Sequence, residues 1–272
     1  LFEDTAPVHT TITIQPNLAA VVTTTTHPTL SLNTTTFFDP KWGHWRIRGL
    51  ALNSSFPIYA FDCVCEEAVQ LAIMHIDGML NNCNQIVLDN FRRYKAAVGI
   101  IGREQVTTDL PPHHHLKGTT CRGGNDDIDG STKGLGGSVT CPFATVGEEN
   151  LLMTLDDTYF QESILIHELA HSVMNIGLYN HPLYNDIKSA YRNSISKGLY
   201  PGNAYITCNE DEYWAESCQI YFEATVRRDD GATGGICTRK DLIKRDPILL
   251  DVLIRVYGSG DWRYILTAPR SF

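Results

Sequence analysis

The sequence predicts a helix-rich α+β domain with a small mixed sheet, and three observations carry that prediction. Apolar residues recur at helical spacing in several separate segments, each framed by capping or stop residues. Tyr94–Gly102 is instead a short, nearly continuous apolar run of strand length. Residues 1–44 are different material, Thr-rich with few charges and scattered Pro, and stand apart from the remaining 45–272.

Taken in order, the N-terminal 44 residues carry Thr23 to Thr26 and Thr34 to Thr36. Their β-branched content predicts an extended arm. The globular part begins near Trp42. A first helix is predicted over Asp62–Leu80, with Val69, Ala72, Ile73, Ile76, Met79 and Leu80 on one face. His75 on that helix reads as a partnered core or rim residue. The strand Tyr94–Gly102 follows, and Asp109-Leu-Pro-Pro breaks the chain. His113, His114 and His115 are consecutive, so they diverge in any regular structure and read as a loop rather than a second metal site. The cluster Asn125–Asp129 offers carboxylates for calcium, but it lacks the spacing and distal Glu of a calcium loop and reads as a solvated acidic loop.

The helix over Ser163–Gly177 comes next, with Thr158–Gln161 as its capping box and Gly177 as its stop. Pro182 and Gly198 frame another helix, with Leu183, Ile187 and Tyr191 in register. Asn209 and Glu212 form a capping box for a helix running to about Ala224, with Trp214, Cys218, Tyr221 and Phe222 as its buried stripe. Arg227–Gly235 is a loop. Asp246-Pro247 opens a last helix carrying Leu249, Val252, Leu253 and Val256, and Gly258 closes it.

The chemistry concentrates in His167-Glu168-Leu169-Ala170-His171. Helix positions i and i+4 share a face, so both imidazoles can reach one metal ion while Glu168 stands over a water beside it. Two imidazoles, a carboxylate and a water make up the shell of one catalytic zinc ion. Glu168 and two His are out of place in so apolar a helix unless paired or bound to metal. Asn209-Glu-Asp-Glu212-Tyr-Trp-Ala-Glu216 offers the missing carboxylate. Glu212 and Glu216 lie on one helix face, so one can bind zinc while the other holds a ligand histidine. A third His six residues after the second would indicate another zinc class, but Gly177 stands there and His181 is four residues further on.

H-E-x-x-H followed by N-E-x-E-aromatic-aromatic-A-E resembles the gluzincin metallopeptidases, and most nearly the catalytic domain of the anthrax lethal factor family. The resemblance is specific over Gln161–Phe222 and implies a zincin-like fold. It makes Glu212 the third zinc ligand, beside His167 and His171, and Glu216 the partner of His167. It also makes Tyr205, seven residues before Glu212, the donor to the oxyanion. Glu168 is then the general base. A looser likeness to secreted relatives covers Arg122–Leu152. The lethal factor's large targeting domains have no counterpart in 272 residues, and its substrate does not carry over.

Zincin-like peptidases bind an extended peptide along an exposed edge strand. The candidate edge is Gly134, Leu135, Gly136, Gly137 and Ser138, whose glycines permit close backbone approach. A net charge of −9 argues against nucleic acid and anionic membranes as partners. No apolar run is long enough for a membrane span. Eight cysteines without a C-x-x-C pair predict disulfides, of which Cys121–Cys141 would staple the Gly-rich loop. The sequons at Asn33 and Asn53 agree with a secreted glycoprotein, and the start at Leu1 reads as removal of a signal peptide. The expectation is a secreted, monomeric zinc peptidase, more endo- than exopeptidase, acting on a protein or peptide substrate. The opposing reading is a secreted binding or toxin-like protein that keeps the zincin shell with little turnover.

Overall fold

The computed structural model describes residues 37–120, 127–225 and 231–264. The strands are β1 (Phe37–Asp39), β2 (Gly43–Ala51), β3 (Phe56–Ala60), β4 (Ala97–Ile101), β5 (Gly134–Leu135) and β6 (Phe143–Gly147). They form one sheet in the order β1-β2-β3-β4-β6-β5. β3, β4 and β6 run parallel; β1, β2 and β5 pair antiparallel with their neighbours. Every residue of β4 is buried, as its apolar run demands of a strand covered on both faces. The fold is therefore α+β and helix-rich, with a small mixed sheet.

The helices are α1 (Glu66–Leu80), α2 (Gln85–Tyr94), α3 (Ile128–Ser131), α4 (Glu148–Leu151), α5 (Ile164–Ser172), α6 (Pro182–Ser196), α7 (Glu210–Tyr221), α8 (Arg239–Arg245) and α9 (Pro247–Tyr257). α1 packs on β2 and α5 on β6, and the main core lies between these helices and the sheet. Trp45, Phe61, Ile101 and Leu110 form a smaller apolar cluster of their own.

Several expectations are corrected. The sheet begins inside the stretch expected to be an arm, because Phe37–Asp39 pair with Gly43–Trp45; Asn33 and the preceding residues lie outside the described residues. The strand expected from Tyr94 starts at Ala97, since Tyr94 ends α2 and Lys95 closes it in the left-handed conformation (φ 56°). The expected His113–His115 loop is a 3₁₀ turn, Pro111–Leu116, that buries His113. The box at Thr158–Gln161 caps nothing. Gln161 has φ 74°, which no helix interior accepts, and the cap of α5 is Ser163, whose side chain accepts from Ile166 N. The helical run still ends at Gly177, but its last turn, Val173–Gly177, is a π-helix.

The expected Cys121–Cys141 bridge is not supported. Cys141 is a free thiol whose Sγ lies 3.8 Å from both the Pro112 carbonyl and His113 Nδ1, and Cys121 lies outside the described residues. The other six described cysteines are also unbridged. Of the acidic cluster, Asn125 and Asp126 lie outside the described residues. Asp129 accepts from Thr108 N and Thr108 Oγ1 at 2.9 and 2.6 Å, so it ties two loops together. Asn53 is exposed at the β2–β3 turn.

Candidate active site

The site is built where α5 crosses α7. Four anchors fix the start of α5. Ser163 caps it, Asn150 Oδ1 accepts from Ile164 N at 2.8 Å, Ser163 N donates to Ala224 O, and Gln219 Nε2 donates to Ser163 O at 3.1 Å. Further along, Trp214 Nε1 on α7 donates to Ala170 O at 3.0 Å, which locks the helix pair at the level of the histidines. α7 is itself capped by Asn209, whose side chain accepts from Glu212 N at 2.9 Å. The cap therefore fixes the backbone of a residue that the site needs.

These anchors bring His167, His171 and Glu212 to one point. The two Nε2 atoms are 3.2 Å apart. Glu212 Oε2 is 3.2 Å from His167 Nε2, and Glu212 Oε1 is 3.6 Å from His171 Nε2. Zinc bonds to N and O of about 2.0–2.1 Å, arranged tetrahedrally, place ligand atoms about 3.3–3.4 Å apart. The three donors already stand at that spacing, so the residues present fit a zinc ion. Glu168, one residue round from His167, joins the two histidines in a cluster of ligand-type atoms within 4.8 Å of one another.

The electrostatics favour a cation. Burial disfavours a charged His167, but the Glu212 and Glu216 carboxylates outweigh that penalty and lift its pKa well above the ordinary value. Glu212 and Glu216 are almost fully buried. Two such carboxylates facing buried imidazoles need a positive charge between them.

Glu216 Oε1 stands 3.4 Å from His167 Nδ1. Nearer to that nitrogen, at 3.2 Å, is Gln219 Oε1. The sequence reading missed Gln219. Its only local signal is a polar residue one heptad beyond Glu212 on the face of α7 that carries Glu212 and Glu216.

Around this centre lies a cleft with a volume of ≈ 920 Å³. Gly134–Ser138 form one wall, and Tyr159, Tyr205 and Ala232 contribute to the others. Tyr205 opens a short 3₁₀ turn, and its N–H donates to Gly231 O. Among the described residues β5 is an edge strand of the sheet, and it lies directly against α5. A Cβ on Gly134 would sit 2.6 Å from Ile164 Cγ2 and 2.8 Å from Glu168 Oε1. One on Gly136 would sit 2.3 Å from His171 Cβ, and one on Gly137 2.9 Å from Ser172 Oγ. The glycines thus let the strand approach α5 itself, where the sequence suggested approach to a ligand. Gly137 N donates to Ser172 Oγ at 2.9 Å, fastening the segment that follows β5 to the helix.

No curated protein matches the chain in sequence. Among solved structures it is similar to the PRO-PRO endopeptidase (PPEP-2) from Paenibacillus alvei, with 16% identity, a TM-score of 0.46, and coverage of 70% of this chain and 91% of that one. At that level the likeness carries no argument about substrate. The model of the family "Anthrax toxin lethal factor, N- and C-terminal domain" matches residues 66–230, more than half of the chain and all of the site just described except the C-terminal edge of the cleft. The chain therefore belongs to the anthrax toxin lethal factor family of zinc metalloproteases.

Proposed function

We propose that this protein is a secreted, zinc-dependent endopeptidase of the gluzincin type. The observation that carries the reading is the triangle of His167 Nε2, His171 Nε2 and Glu212 carboxylate oxygens, spaced 3.2 to 3.6 Å apart beside Glu168. His167, His171 and Glu212 would hold the ion. When bound there, zinc supplies Lewis-acid polarisation of the scissile carbonyl and acidifies a water.

The chain's own residues do the rest. Glu168 takes the proton of the attacking water on a carboxylate oxygen and delivers it to the leaving amine. Tyr205, whose residue lines the same cleft, would donate its hydroxyl to the oxyanion. Glu216 supplies negative charge behind His167. A substrate peptide lies extended along Gly134–Ser138, pairing with the free edge of β5. Such pairing recognises main chain on both sides of the scissile bond, which suits an endopeptidase acting on proteins. The exposed Asn53 sequon supports the secreted reading.

The test is hydrolysis of casein or gelatin by the purified protein, with and without a chelator, and with zinc added back. The expected result is cleavage that the chelator abolishes and zinc restores. A protein that binds zinc but cleaves neither protein nor a diverse peptide library would support the binding-protein reading instead.

A further inference from the structure

We infer that Gln219 is a positioning residue that selects the metal-binding tautomer of His167. The inference rests on the zinc-site reading above and adds a residue to it. The amide of Gln219 has only one orientation that satisfies its surroundings. Its nearest partners are the Ser163 carbonyl at 3.1 Å and His167 Nδ1 at 3.2 Å. A carbonyl oxygen can only accept, so the Nε2 group must face Ser163, and Oε1 must face the ring. Oε1 can only accept in turn, so His167 Nδ1 must carry the proton. In the neutral ring that binds metal, the lone pair is then on Nε2, the nitrogen that faces His171 and Glu212.

The arrangement closes on itself. The Ser163 carbonyl also accepts the backbone N–H of His167 at 3.3 Å. Ser163 O therefore holds both the backbone of the ligand residue and the amide that orients its ring. All three residues are buried, and Gln219 and Ser163 almost wholly so, so water does not compete for these groups. An amide suits this task in a way a carboxylate does not. A carboxylate facing Nδ1 also calls for the proton there, but it has no donor end; the amide accepts from the ring at Oε1 and donates to Ser163 O at Nε2, so its own plane, and with it the ring's, is fixed at both ends. Gln219, the nearer acceptor, accordingly fixes the ring plane along with the tautomer, and Glu216, further off at 3.4 Å from the same nitrogen, favours the same tautomer and adds charge.

Two variants and one spectrum test this. Gln219→Leu keeps the volume but removes the acceptor, and should weaken binding of Zn²⁺, measured by chelator competition on the full-length protein, by roughly 10–100-fold. Gln219→Glu keeps shape and acceptor; with a proton on the oxygen facing Ser163 it also keeps the donor, so its affinity should stay within about threefold of wild type. In the wild-type zinc-bound protein, long-range ¹H–¹⁵N spectra should show His167 bound through Nε2, with an Nδ1 proton that exchanges slowly with solvent. That proton should exchange faster in Gln219→Leu. Coordination through Nδ1 in the wild type overturns the inference without recourse to any variant. So does a folded Gln219→Leu protein with unchanged affinity, or a folded Gln219→Glu protein as weak as Gln219→Leu, since the retained acceptor would then count for nothing. If the wild type binds no zinc, it is the zinc-site reading that fails, and the two failures are distinguishable.

Discussion

The two walls of the cleft are made by opposite means. On one side, α5 and α7 meet through side chains: two imidazoles, buried carboxylates and an amide, each held by a named partner. On the other, β5 and the residues after it contribute almost no side chain. A methyl group at Gly134, Gly136 or Gly137 would lie under 3 Å from atoms of α5. The helix pair can hold its groups in place because its interface is filled. The strand can present bare backbone beside them because its own side of the interface is empty. Chemistry is thus specified by what is present on one wall, and access by what is absent from the other.

The largest effect that would break this comparison lies on the helix wall. Glu168→Gln should keep the zinc, since Glu168 holds no metal in this arrangement, and lose roughly 10²–10⁴-fold in kcat. Glu212→Ala should lose the zinc itself. Metal content measured alongside turnover separates the two roles. Near wild-type turnover in a zinc-loaded Glu168→Gln protein would remove the general base from the mechanism.

A second test concerns what the carboxylates do to a buried imidazole. In the site they raise the pKa of His167 against the cost of its burial. Away from it, His75 and His113 are buried without such partners. Burial lowers the His75 pKa to about 4, and burial with the nearby His115 lowers that of His113 to about 4. The His75 ring packs on Tyr264, with centroids 4.6 Å apart. Both rings are neutral in the folded protein, while the unfolded chain takes up protons near 6.5. Their contribution to stability is therefore complete above about pH 6.5 and lost as the pH falls towards 4, up to about 3 kcal/mol for each. Denaturant titrations between pH 7 and 4 should show this loss, and His75→Phe should flatten its own share. A profile that the substitution leaves unchanged would show that His75 is protonated in the fold.

The strand wall carries the next effect. Gly136 has no left-handed backbone angle, so Gly136→Ala tests the close approach alone. With His171 Cβ 2.3 Å from the new methyl, strand or helix must shift, at about 1–3 kcal/mol. Zinc affinity should fall with stability, because the obstructed residue is itself a proposed ligand. Gly130→Ala, where no atom lies within 4 Å, is the control. Equal melting temperatures in the two variants would show that the segment after β5 does not need glycine at position 136.

The helix wall was legible in the sequence and the strand wall much less so. His167, Glu168 and His171 are close in sequence and fixed by helical period, and Asn209 announces the start of α7 by its capping chemistry. A helix whose apolar face is strongly periodic announces itself, as α1, α6 and α9 do. α2 buries only Val87, Asn90 and Phe91 and runs straight into a strand, so its pattern merges with the next element. The bulged, half-exposed β2, with three arginine or histidine side chains, carries no apolar alternation to read. The box at Thr158–Gln161 had the right residue types, but Gln161 is held in a left-handed turn that local sequence does not reveal. Gln219 was missed for a related reason. Its meaning comes from a carbonyl 56 residues away, and only the packing of α7 on α5 puts the two in reach.

The smallest expected effect compares the two caps that start the helix wall. Ser163 caps α5 by accepting from Ile166 N at 3.3 Å, and Asn209 caps α7 by accepting from Glu212 N at 2.9 Å. Losing either should cost about 1 kcal/mol of stability. The consequences for zinc should differ. Ile166 contributes no metal ligand, and the Ser163 carbonyl that serves Gln219 survives a change to Ala, so Ser163→Ala should leave zinc affinity nearly intact. Asn209→Ala frees the N–H of Glu212 itself, in the first turn of the helix. Its zinc affinity should fall by more than its stability loss explains, by several-fold on the scale of other changes that loosen a ligand's support. Chelator competition on both variants, with thermal unfolding of the zinc-free forms as the reference, measures the difference. Equal affinities would mean that Glu212 is positioned by the packing of α7 on α5 through Trp214, and that the cap holds only the helix end.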